Sequence, residues 1–457
     1  MFIDNIHSKI FAIGDIHGDI GPLVICLRDC CKVITKNKKY KFNPDEFDNN
    51  LEEEMLKDWQ DKSYQEDLNY EWIGGKSAVV LCGDILDNVR GPVHKKPQEY
   101  PFEEARILKF INAINKKAVK EGGKIFKVLG NHDMYNLNGL TRTRHSTYVS
   151  DYAKNYEGYK DGAEDRLAYF NKGNPGAKLI GEDGAYVFLM IKDFIFVHGG
   201  ISSSLLKANN ILQVNESLNK YIYDKDNNTF DKETQSVENS LTFSNDDNDG
   251  LVFDRFFGFK SDKTEEEMCS ILYNRFKTLC NDIKKNNKDL IKCNHNKMKL
   301  VIGHCNQNKT TTDTIYKSSF SKLAKINKSN EYVFSEEFTA PVYSGEPSKD
   351  TVIYGITVGC GDRVETSYDI NKPSVYRIDV GMSRGFNLEP FTEEYGYSRT
   401  PQVLKIEYIN GEPNVSIVKS TLANTLIHLK DFDKNPYERK YLKYKAKYLN
   451  LKKNEKN

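Results

Sequence analysis

The chain has 457 residues, and 66 Lys and Arg against 65 Asp and Glu leave a formal net charge of +1. This balance excludes a chain-wide basic surface for nucleic acid and a wholly disordered acidic chain, so no specific nucleic-acid partner is predicted. At 39% hydrophobic residues the chain has enough apolar side chains for a large core. No apolar run approaches the roughly 18 residues that span a bilayer, so no membrane partner is expected.

The N-terminus and the cysteines suggest where the protein works. Residues 1–9 lack the basic start and long apolar run of a signal peptide, so we expect a cytoplasmic protein that is not secreted. Nine cysteines, an odd number without Cys-x-x-Cys spacing, indicate neither a disulfide framework nor a structural zinc site. A reducing compartment fits this pattern. Cys26, Cys30 and Cys31 fall in a helix-like stretch and are interpreted as buried structural thiols.

Apolar runs and helical periodicity alternate along the chain. Short runs that are apolar on both faces predict buried strands at 10–13, 78–81, 125–129, 194–197 and 300–302. Helical periodicity between these runs predicts helices at 20–33, 103–120 and 265–283. The alternation predicts an α/β core. Three polar stretches, about 35–75, 209–250 and 306–349, are predicted to be surface insertions.

Each predicted strand is followed at once by a glycine beside a potential metal ligand. The five sequences are Gly14-Asp15-Ile16-His17-Gly18, Gly83-Asp84-Ile85-Leu86-Asp87, Gly130-Asn131-His132-Asp133, His198-Gly199-Gly200 and Gly303-His304. In an open α/β sheet, ligands bind outside the carboxyl ends of the strands, so these five endings are expected to converge on one cleft. Glycine there permits tight turns and close backbone approach.

The potential ligands at these endings form a mixed oxygen and nitrogen set: Asp15, His17, Asp84, Asn131, His198 and His304. Such a set suits Mn, Fe or Zn better than calcium or copper. Six ligands are too many for one catalytic ion with open positions, whereas two ions about 3.5–4 Å apart use them economically if they share Asp84. We therefore predict two divalent metal ions, with Mn²⁺ favoured and Fe or Zn as alternatives.

Each motif by itself has an ordinary structural explanation. Gly-Asp is a common turn, and an isolated histidine after a strand is more often a satisfied side chain than a ligand. The joint pattern is harder to explain in this way, because four of the nine histidines lie at these strand ends.

The five motifs resemble those of the calcineurin-like metallophosphoesterases of the phosphoprotein phosphatase (Ser/Thr) type, namely GDxHG, GDxxDRG, GNH[ED], HGG and a later GH. The resemblance spans about residues 8–385. It implies an α/β metallophosphoesterase fold, a central β-sandwich of mixed sheets flanked by helices. With the insertions included, we assign the catalytic domain to residues 1–435.

The resemblance also implies roles for the motif residues. One ion is implied to bind Asp15, His17 and Asp84, and the other Asp84, Asn131, His198 and His304. A metal-bridging hydroxide is implied to attack phosphorus in line. His132 is implied to be the general acid that protonates the leaving alkoxide, with Asp87 orienting it. This assignment is chemically sensible, because an imidazole paired with a carboxylate keeps the right tautomer and can be protonated near neutral pH.

The substrate phosphate is expected to bind Arg255 and Asn131, because a planar guanidinium gives bidentate contact to phosphate. The GDxxDRG motif departs from the family here, since Asn88 and Val89 precede the Arg90-Gly91 pair. Arg90 either reaches the substrate through a bulge or is a solvated loop residue, and both remain open.

Other departures indicate a branch of the family. The loop SAPNYCG of the protein phosphatase 1 and 2A type has no evident counterpart, whereas residues 72–75 and 378–383 resemble the Shewanella-like branch. Asp133 stands where many members have Glu and is interpreted as support for a metal site.

The C-terminal residues 436–457 form a basic Tyr/Lys-rich helix or tail. From Tyr437 onward there are eight Lys or Arg and two Glu, a net charge of +6. Its tyrosines recur at heptad-like spacing. The tail is expected either to pack on the catalytic domain or to mediate self-association or binding of acidic partners. Its composition resembles proteins of large DNA viruses, which would place a viral protein in the host cytoplasm or the virion.

Three functions are compatible with the sequence. The first is a two-metal phosphomonoesterase acting on phosphoserine or phosphothreonine proteins, or on a small phosphoester. The second is a nucleotide or dinucleoside polyphosphate hydrolase of the same fold. The third is a non-catalytic binding protein that keeps the fold, for which loss of a ligand would be the mark.

Overall fold

A computed structural model of the chain describes residues 2–3, 9–36, 70–87, 104–138, 169–201, 211–224, 252–258, 265–286, 293–305, 308–310, 325–326, 331–333, 352–354, 356–360, 362–364, 367–369, 374–382 and 401–420. The tail 436–457 and Arg90 lie outside these ranges, so the predictions made for them stay predictions.

Two large mixed sheets form the centre of the described structure, and their strands are numbered in chain order. The first sheet has the order β12 (Lys325–Ile326), β13 (Glu331–Val333), β20 (Glu412–Lys419), β19 (Gln402–Ile409), β2 (Lys9–Ile13), β5 (Ala78–Cys82), β6 (Lys124–Val128) and β7 (Ala185–Tyr186). The second has the order β1 (Phe2–Ile3), β8 (Leu189–Ile191), β9 (Phe194–Val197), β10 (Lys299–Ile302), β18 (Ser374–Arg377) and β15 (Thr357–Gly359).

Shorter elements surround these sheets. The two-stranded pairs are β3 (Ile34–Lys36) with β4 (Tyr70–Trp72), β11 (Asn308–Thr310) with β14 (Val352–Tyr354), and β16 (Asp362–Val364) with β17 (Ser367–Asp369). The α-helices are α1 (Ile20–Ile25), α2 (Glu104–Lys120), α3 (Asn131–Leu137), α4 (Pro175–Gly181), α5 (Ile211–Tyr223) and α6 (Glu265–Asn286), and a π-helical turn (Cys26–Cys30) continues α1.

All five predicted strands and all three predicted helices are present, which confirms the α/β core. Strands β2, β5 and β6 run parallel in one sheet, and β9, β10 and β18 run parallel in the other. Their apolar side chains belong to a single buried cluster that contains residues of both sheets. The two sets of carboxyl ends are therefore available to form one site, as expected for parallel strands.

A β-hairpin beyond the motif-bearing region completes the first sheet. Strand β19 pairs with β2 on one side and with β20 on the other. The two strands are joined at Asn410 and Gly411, whose φ angles of 54° and 86° are both positive. An Asn-Gly pair with two positive φ angles is the preferred two-residue hairpin turn.

One predicted insertion is partly structural. Residues 211–223 form helix α5, whose side chains Val214, Leu218 and Ile222 are buried and which packs against α4. The Asn-rich composition of 209–250 suggests a polar surface segment. Two of its asparagines, Asn215 and Asn219, instead bond to the backbone of residues 185–188. The surface-insertion interpretation is wrong for this helix.

The structure also corrects the cysteine interpretation. Cys269 is joined to Cys360 and Cys280 to Cys293, with Cα atoms 5.2 and 5.6 Å apart. The expectation that disulfides are absent is therefore wrong, and the expectation of a reducing compartment loses that support. The spacing of these cysteines along the sequence does not indicate either pair, because the thiols come together only in the folded chain. The interpretation of Cys26, Cys30 and Cys31 as buried thiols is confirmed.

No helix among the described residues is long and apolar enough to cross a membrane.

Lys127 is an exception to the apolar character of β6. Its ammonium donates to Asn112 Oδ1 at 2.7 Å, to the Glu182 carbonyl at 2.7 Å and to the Leu179 carbonyl at 3.2 Å. Burial lowers the pKa of Lys127 to about 7, although Asp183 and Glu182 act in the opposite direction. The amine therefore loses its proton far more easily in the folded chain than in the unfolded one.

This shift predicts a pH dependence of stability. An unfolded lysine has a pKa of about 10.4, so the unfolded chain binds more protons between about pH 7 and pH 10. The contribution of Lys127 to the free energy of unfolding should therefore increase with pH across that window, by at most about 1.4 kcal/mol per pH unit. In Lys127→Met this contribution should disappear, as measured by urea unfolding at several pH values, whereas it should persist in the exposed control Lys120→Met. Equal slopes in Lys127→Met and wild type would contradict the assignment.

Candidate metal centre

The five predicted strand endings meet at one place, where backbone hydrogen bonds connect them. After β2 and β5, the His17 amide donates to the Asp84 carbonyl at 2.8 Å. After β9 and β10, the Gly303 amide donates to the His198 carbonyl at 2.9 Å. The two sheets are joined by the His304 amide, which donates to Asp15 Oδ1 at 3.2 Å. Loops from both large sheets therefore form the site.

Two overlapping groups of side chains have the geometry of metal sites. One consists of Asp15, His17 and Asp84, and the other of Asp84, His198 and His304, with the possible ligand atoms of each group within 4.8 Å of one another. Asp84 belongs to both groups. Asn131 adjoins the second group, because its Oδ1 lies 3.0 Å from His198 Nε2. The structure therefore brings together all six side chains that the sequence singles out as ligands.

The orientation of two imidazoles fits metal ions at these positions. His17 Nδ1 lies 3.1 Å from each of the carbonyls of Leu86 and Asp87, so it must carry the ring proton. Nε2 then presents its lone pair toward Asp15 Oδ2 at 3.8 Å and Asp84 Oδ2 at 3.6 Å. A lone pair and two carboxylates that face one another are compatible with a cation between them. Metal-binding histidines are commonly held by such a bond from the other ring nitrogen.

His198 repeats this arrangement in the second group. Its Nδ1 donates to the Cys82 carbonyl at 2.8 Å, and its Nε2 faces Asp84 Oδ1 at 3.3 Å as well as the Asn131 oxygen. The carboxylate, amide and imidazole donors fit Mn, Fe or Zn, with no thiolate among them.

The charges in the site are strongly coupled. Burial by itself would raise the pKa of Asp84, but the imidazoles of His198, His132 and His17 outweigh it and hold this pKa well below its usual range. Burial, reinforced by His198, holds the pKa of His304 well below that of an ordinary histidine. The ionised carboxylate of Asp84 and the neutral imidazole of His304 are the protonation states that metal ions require. Burial lowers the pKa of His198, but Asp84 outweighs it and raises this pKa, so a metal ion on His198 would compete with a proton.

Four site residues have left-handed backbone conformations, which are uncommon outside glycine. The φ angles are 45° at His17, 49° at Asp84, 65° at Asp87 and 64° at His304. Such conformations cost about 1–3 kcal/mol each and cluster at functional sites. Gly130 is needed for a steric reason, because a Cβ at this position would overlap the Asp84 carboxylate.

His132 and Asp87 form a hydrogen-bonded pair beside the ligand groups. His132 Nδ1 lies 2.7 Å from Asp87 Oδ2, and the His132 amide donates to Asp84 Oδ1 at 2.9 Å. The carboxylate of Asp87 also accepts from Asn136 Nδ2 at 3.0 Å. Glu104 holds the backbone of Asp87, whose amide donates to Glu104 Oε1 at 2.7 Å.

Asn136 and Glu104 were not found by sequence reasoning. Asn136 follows His132 by four residues on α3, so the helical repeat was a usable signal. Glu104 begins a helix 17 residues after Asp87, and no local pattern connects them.

Asp133 accepts hydrogen bonds from three backbone amides around the site. Its Oδ1 accepts from Ile85 and Leu86 at 3.0 Å each, and its Oδ2 accepts from Gly130 at 2.9 Å. Burial and the charge of Asp84 raise the pKa of Asp133 to about 7, although the amides of Gly130 and Leu86 oppose this shift. Asp133 therefore supports the loops that carry the ligands.

Replacing Asp133 with Asn should weaken the fold. The new NH₂ group would face the Gly130 amide, which is itself a donor, so an expected loss is about 1–3 kcal/mol in the free energy of unfolding. Asp133→Glu, which keeps both acceptor oxygens, is the matched control and should lose less. Urea unfolding of the three proteins at one pH well above 7, where the Asp133 carboxyl is ionised, measures the difference. An Asp133→Asn midpoint equal to that of the wild type would refute this role.

Arg255 lies against the second ligand group. Its Nε donates to His304 Nε2 at 2.8 Å, so the guanidinium stands at the edge of the candidate metal centre. A neutral imidazole has one lone pair, so this bond would have to break when a metal ion binds His304, and the Arg255 guanidinium would then be available to another acceptor.

Two aromatic rings border the site. Tyr135 contacts the His132 ring edge to face at 5.6 Å between centroids, and Phe253 lies 5.4 Å from Tyr135 and 6.4 Å from His304. Both rings are half-buried. No motif or spacing in the sequence marks these two rings as site residues.

Two mixed sheets with carboxylate and imidazole groups at their parallel strand ends define the metallophosphoesterase fold, as the sequence predicted. The family model described as calcineurin-like phosphoesterase matches residues 8–308, and the chain belongs to this family.

Curated relatives support the Shewanella-like branch. The chain is 25% identical to Shewanella-like protein phosphatase 1 of Plasmodium berghei over 278 residues, which are 59% of this chain and 58% of that protein. It is 37% identical to Shewanella-like protein phosphatase 2 of Arabidopsis thaliana over 73 residues, 16% of each chain. The chain thus spans little more than half the length of the first of these relatives.

Among solved structures, the chain is similar to the cold-active protein-tyrosine phosphatase of a psychrophilic Shewanella. It is 16% identical, with a TM-score of 0.42, over 92% of this chain and 82% of that one.

Proposed function

We propose that the protein is a metal-dependent phosphomonoester hydrolase that acts on phosphoserine and phosphothreonine in proteins. The observation that carries the proposal is the position of the His132–Asp87 pair beside two ligand groups that share Asp84. The family and its phosphatase relatives support the same class of reaction.

The proposed ligands of one ion are Asp15, His17 and Asp84, and those of the other are Asp84, Asn131, His198 and His304. When bound, two divalent ions, Mn²⁺ foremost, supply Lewis acidity that lowers the pKa of water and offsets the charge of the phosphate. The chain contributes a buried, preorganised frame, since Asp15, His17, Asp84 and His198 are each at most 1% exposed.

His132 is proposed to protonate the leaving alkoxide. Asp87 holds the Nδ1 proton, so Nε2 is the ring atom that exchanges a proton with the substrate. A carboxylate partner fixes this tautomer and stabilises the imidazolium, which is the form that donates. Asn136 and Glu104 in turn hold Asp87, so the orientation of the acid does not depend on the substrate.

Arg255 and Asn131 are proposed to bind the phosphate. Arg255 offers a planar set of donors at the edge of the site, suited to two phosphate oxygens at once. Asn131 has its oxygen in the ligand group and an NH₂ donor on the same amide. Arg90 remains a further candidate from sequence alone.

Phosphate release from p-nitrophenyl phosphate with and without Mn²⁺ tests the proposal. Metal-dependent turnover should be followed by turnover of phosphoserine and phosphothreonine peptides, with phosphotyrosine peptides and dinucleoside polyphosphates as comparisons. No metal-dependent release from any of these compounds would favour a binding protein over an enzyme. Release confined to phosphotyrosine peptides would overturn the proposed substrate.

Tyr135 and Phe253 give specific support to the second candidate, a nucleotide or dinucleoside polyphosphate hydrolase. A base can stack on such rings, with about 1–3 kcal/mol per base. If nucleotides are the substrates, Tyr135→Leu and Phe253→Leu should raise the KM for a dinucleoside polyphosphate and leave the KM for a phosphoserine peptide unchanged.

A further inference from the structure

Arg255 projects from a short turn, residues 252–258, whose conformation is set by a buried carboxylate. Asp254 is 0% exposed, and its Oδ1 accepts from the Phe256 amide at 2.8 Å, closing the backbone around Arg255. Its second oxygen, Oδ2, accepts from Arg275 Nη1 at 3.1 Å. The residue directly before Arg255 is therefore tied to helix α6.

Arg275 connects this turn to the loop after β9. The same Nη1 atom donates to the Ile201 carbonyl, three residues after His198. Its guanidinium also lies over the rings of Phe256 and Phe257, at 4.8 and 5.2 Å from their centroids. Arg275 thus contacts both the turn that carries Arg255 and the loop that follows His198.

The two glycines after His198 permit this arrangement. A Cβ at Gly199 would lie 2.8 Å from the backbone nitrogen and oxygen of Asp254, and one at Gly200 would lie 2.9 Å from Asp254 Oδ2. Real Cβ atoms do not approach other atoms so closely. The His-Gly-Gly sequence therefore accommodates Asp254 as well as presenting His198.

A buried arginine, Arg377, fixes the other end of the turn. Arg377, at the end of β18 and 3% exposed, donates to the Phe257 carbonyl. The turn is consequently held at Asp254 by α6 and at Phe257 by β18, while the Arg255 side chain between them is exposed.

We propose that Arg275 is a positioning residue that acts through Asp254 to aim Arg255 at the substrate phosphate. This inference rests on the proposed function of Arg255. The contacts of Arg275 are with Ile201, Asp254, Phe256 and Phe257, and none of these is a proposed metal ligand. Its contribution is to fix the backbone turn from which the Arg255 guanidinium, once released from His304, reaches two phosphate oxygens together. A displacement of about 1 Å is enough to lose most of such an effect.

A double-mutant cycle tests the inference. The dissociation constant of inorganic phosphate is measured by calorimetry on the Mn-loaded full chain, for wild type, Arg275→Met, Arg255→Ala and the double variant. Arg275→Met should weaken phosphate binding roughly tenfold in the wild-type background and leave it unchanged in the Arg255→Ala background, because its effect passes through Arg255. Arg28→Met is the matched control, since it removes the part-buried ion pair with Asp29.

A purely structural role would give a different result. Arg275→Met would then lower the melting temperature without changing phosphate affinity, or would weaken binding equally in both backgrounds, and either outcome overturns the inference. Should Arg275→Met not fold, Arg275→Lys and Asp254→Asn take its place in the same cycle, with the same criteria.

Binding and turnover separate this inference from the proposed function. If the cycle shows coupling but no phosphoester is hydrolysed, the positioning role stands and the catalytic proposal fails. If turnover is normal and the cycle shows no coupling, the positioning role alone fails. A wild-type protein that binds no phosphate would overturn both.

Discussion

Asp84→Asn is expected to abolish metal binding and with it essentially all turnover. Asp84 is the one side chain that belongs to both ligand groups, and its Oδ1 also accepts from the His132 amide. An amide has one acceptor oxygen and no charge, so it replaces the carboxylate in neither group. We expect turnover to fall well beyond the roughly 100-fold loss typical of removing a partner of a metal ligand. Metal content after dialysis, measured by elemental analysis, is the direct readout.

Asp19→Asn is the matched control for this change. Asp19 is also fully buried in the loop after β2, but its carboxylate caps α1 by accepting from the Gly21 amide at 3.2 Å. Asn is an equally good cap, so this variant should keep its metal and its activity. Full metal occupancy in Asp84→Asn would contradict the shared-ligand assignment.

His132→Asn is expected to keep the fold and the metal but to lose most turnover on substrates with poor leaving groups. His132 belongs to neither ligand group, and its ring is engaged by Asp87. General acid catalysis contributes about 10²–10⁴-fold, and most of this factor is lost for an alkyl phosphate whose leaving alkoxide needs a proton. For p-nitrophenyl phosphate the loss should be much smaller, because p-nitrophenolate departs without protonation.

The measurement is kcat for a series of phosphomonoesters of graded leaving-group pKa. A steeper dependence of kcat on leaving-group pKa in His132→Asn than in wild type supports the role of His132 as general acid. An equal loss of kcat on every substrate contradicts that role. His295→Asn serves as control, since His295 contacts the Tyr273 hydroxyl away from the centre. Metal content must match wild type in both variants, so that loss of ions is not mistaken for loss of the acid.

The core strands could be predicted because their signals are local. Runs such as 78–81 and 194–197 are apolar on both faces, which is what a strand between two layers requires. Glycine after each run marks the turn. The β19–β20 hairpin has a local signal as well, because Asn410-Gly411 lies between alternating apolar residues.

Other features had no local signal. The acceptors of Lys127 lie on α2, within α4 and directly after α4, so the apolar run around this lysine does not indicate that its ammonium is hydrogen-bonded when buried. Helix α5 has no clear signal in the sequence, because its asparagines bond to the backbone of Ala185 and Phe188, which are far from them along the chain. In each case the decisive contact is remote in sequence, and the energetic penalty of a buried polar group depends on that contact.

The sequence by itself determined which side chains were candidates for the metal centre and where in the chain they occur, because strand periodicity and glycine turns are properties of neighbouring residues. The tertiary structure decided how they act together. Asp15 meets His304 across 289 positions, His198 is held by Cys82 across 116, and Arg275 reaches Asp254 across 21. Tautomers, pKa values and the aim of Arg255 all follow from such contacts, since electrostatic and hydrogen-bond energies depend on distance in space and not on distance along the chain.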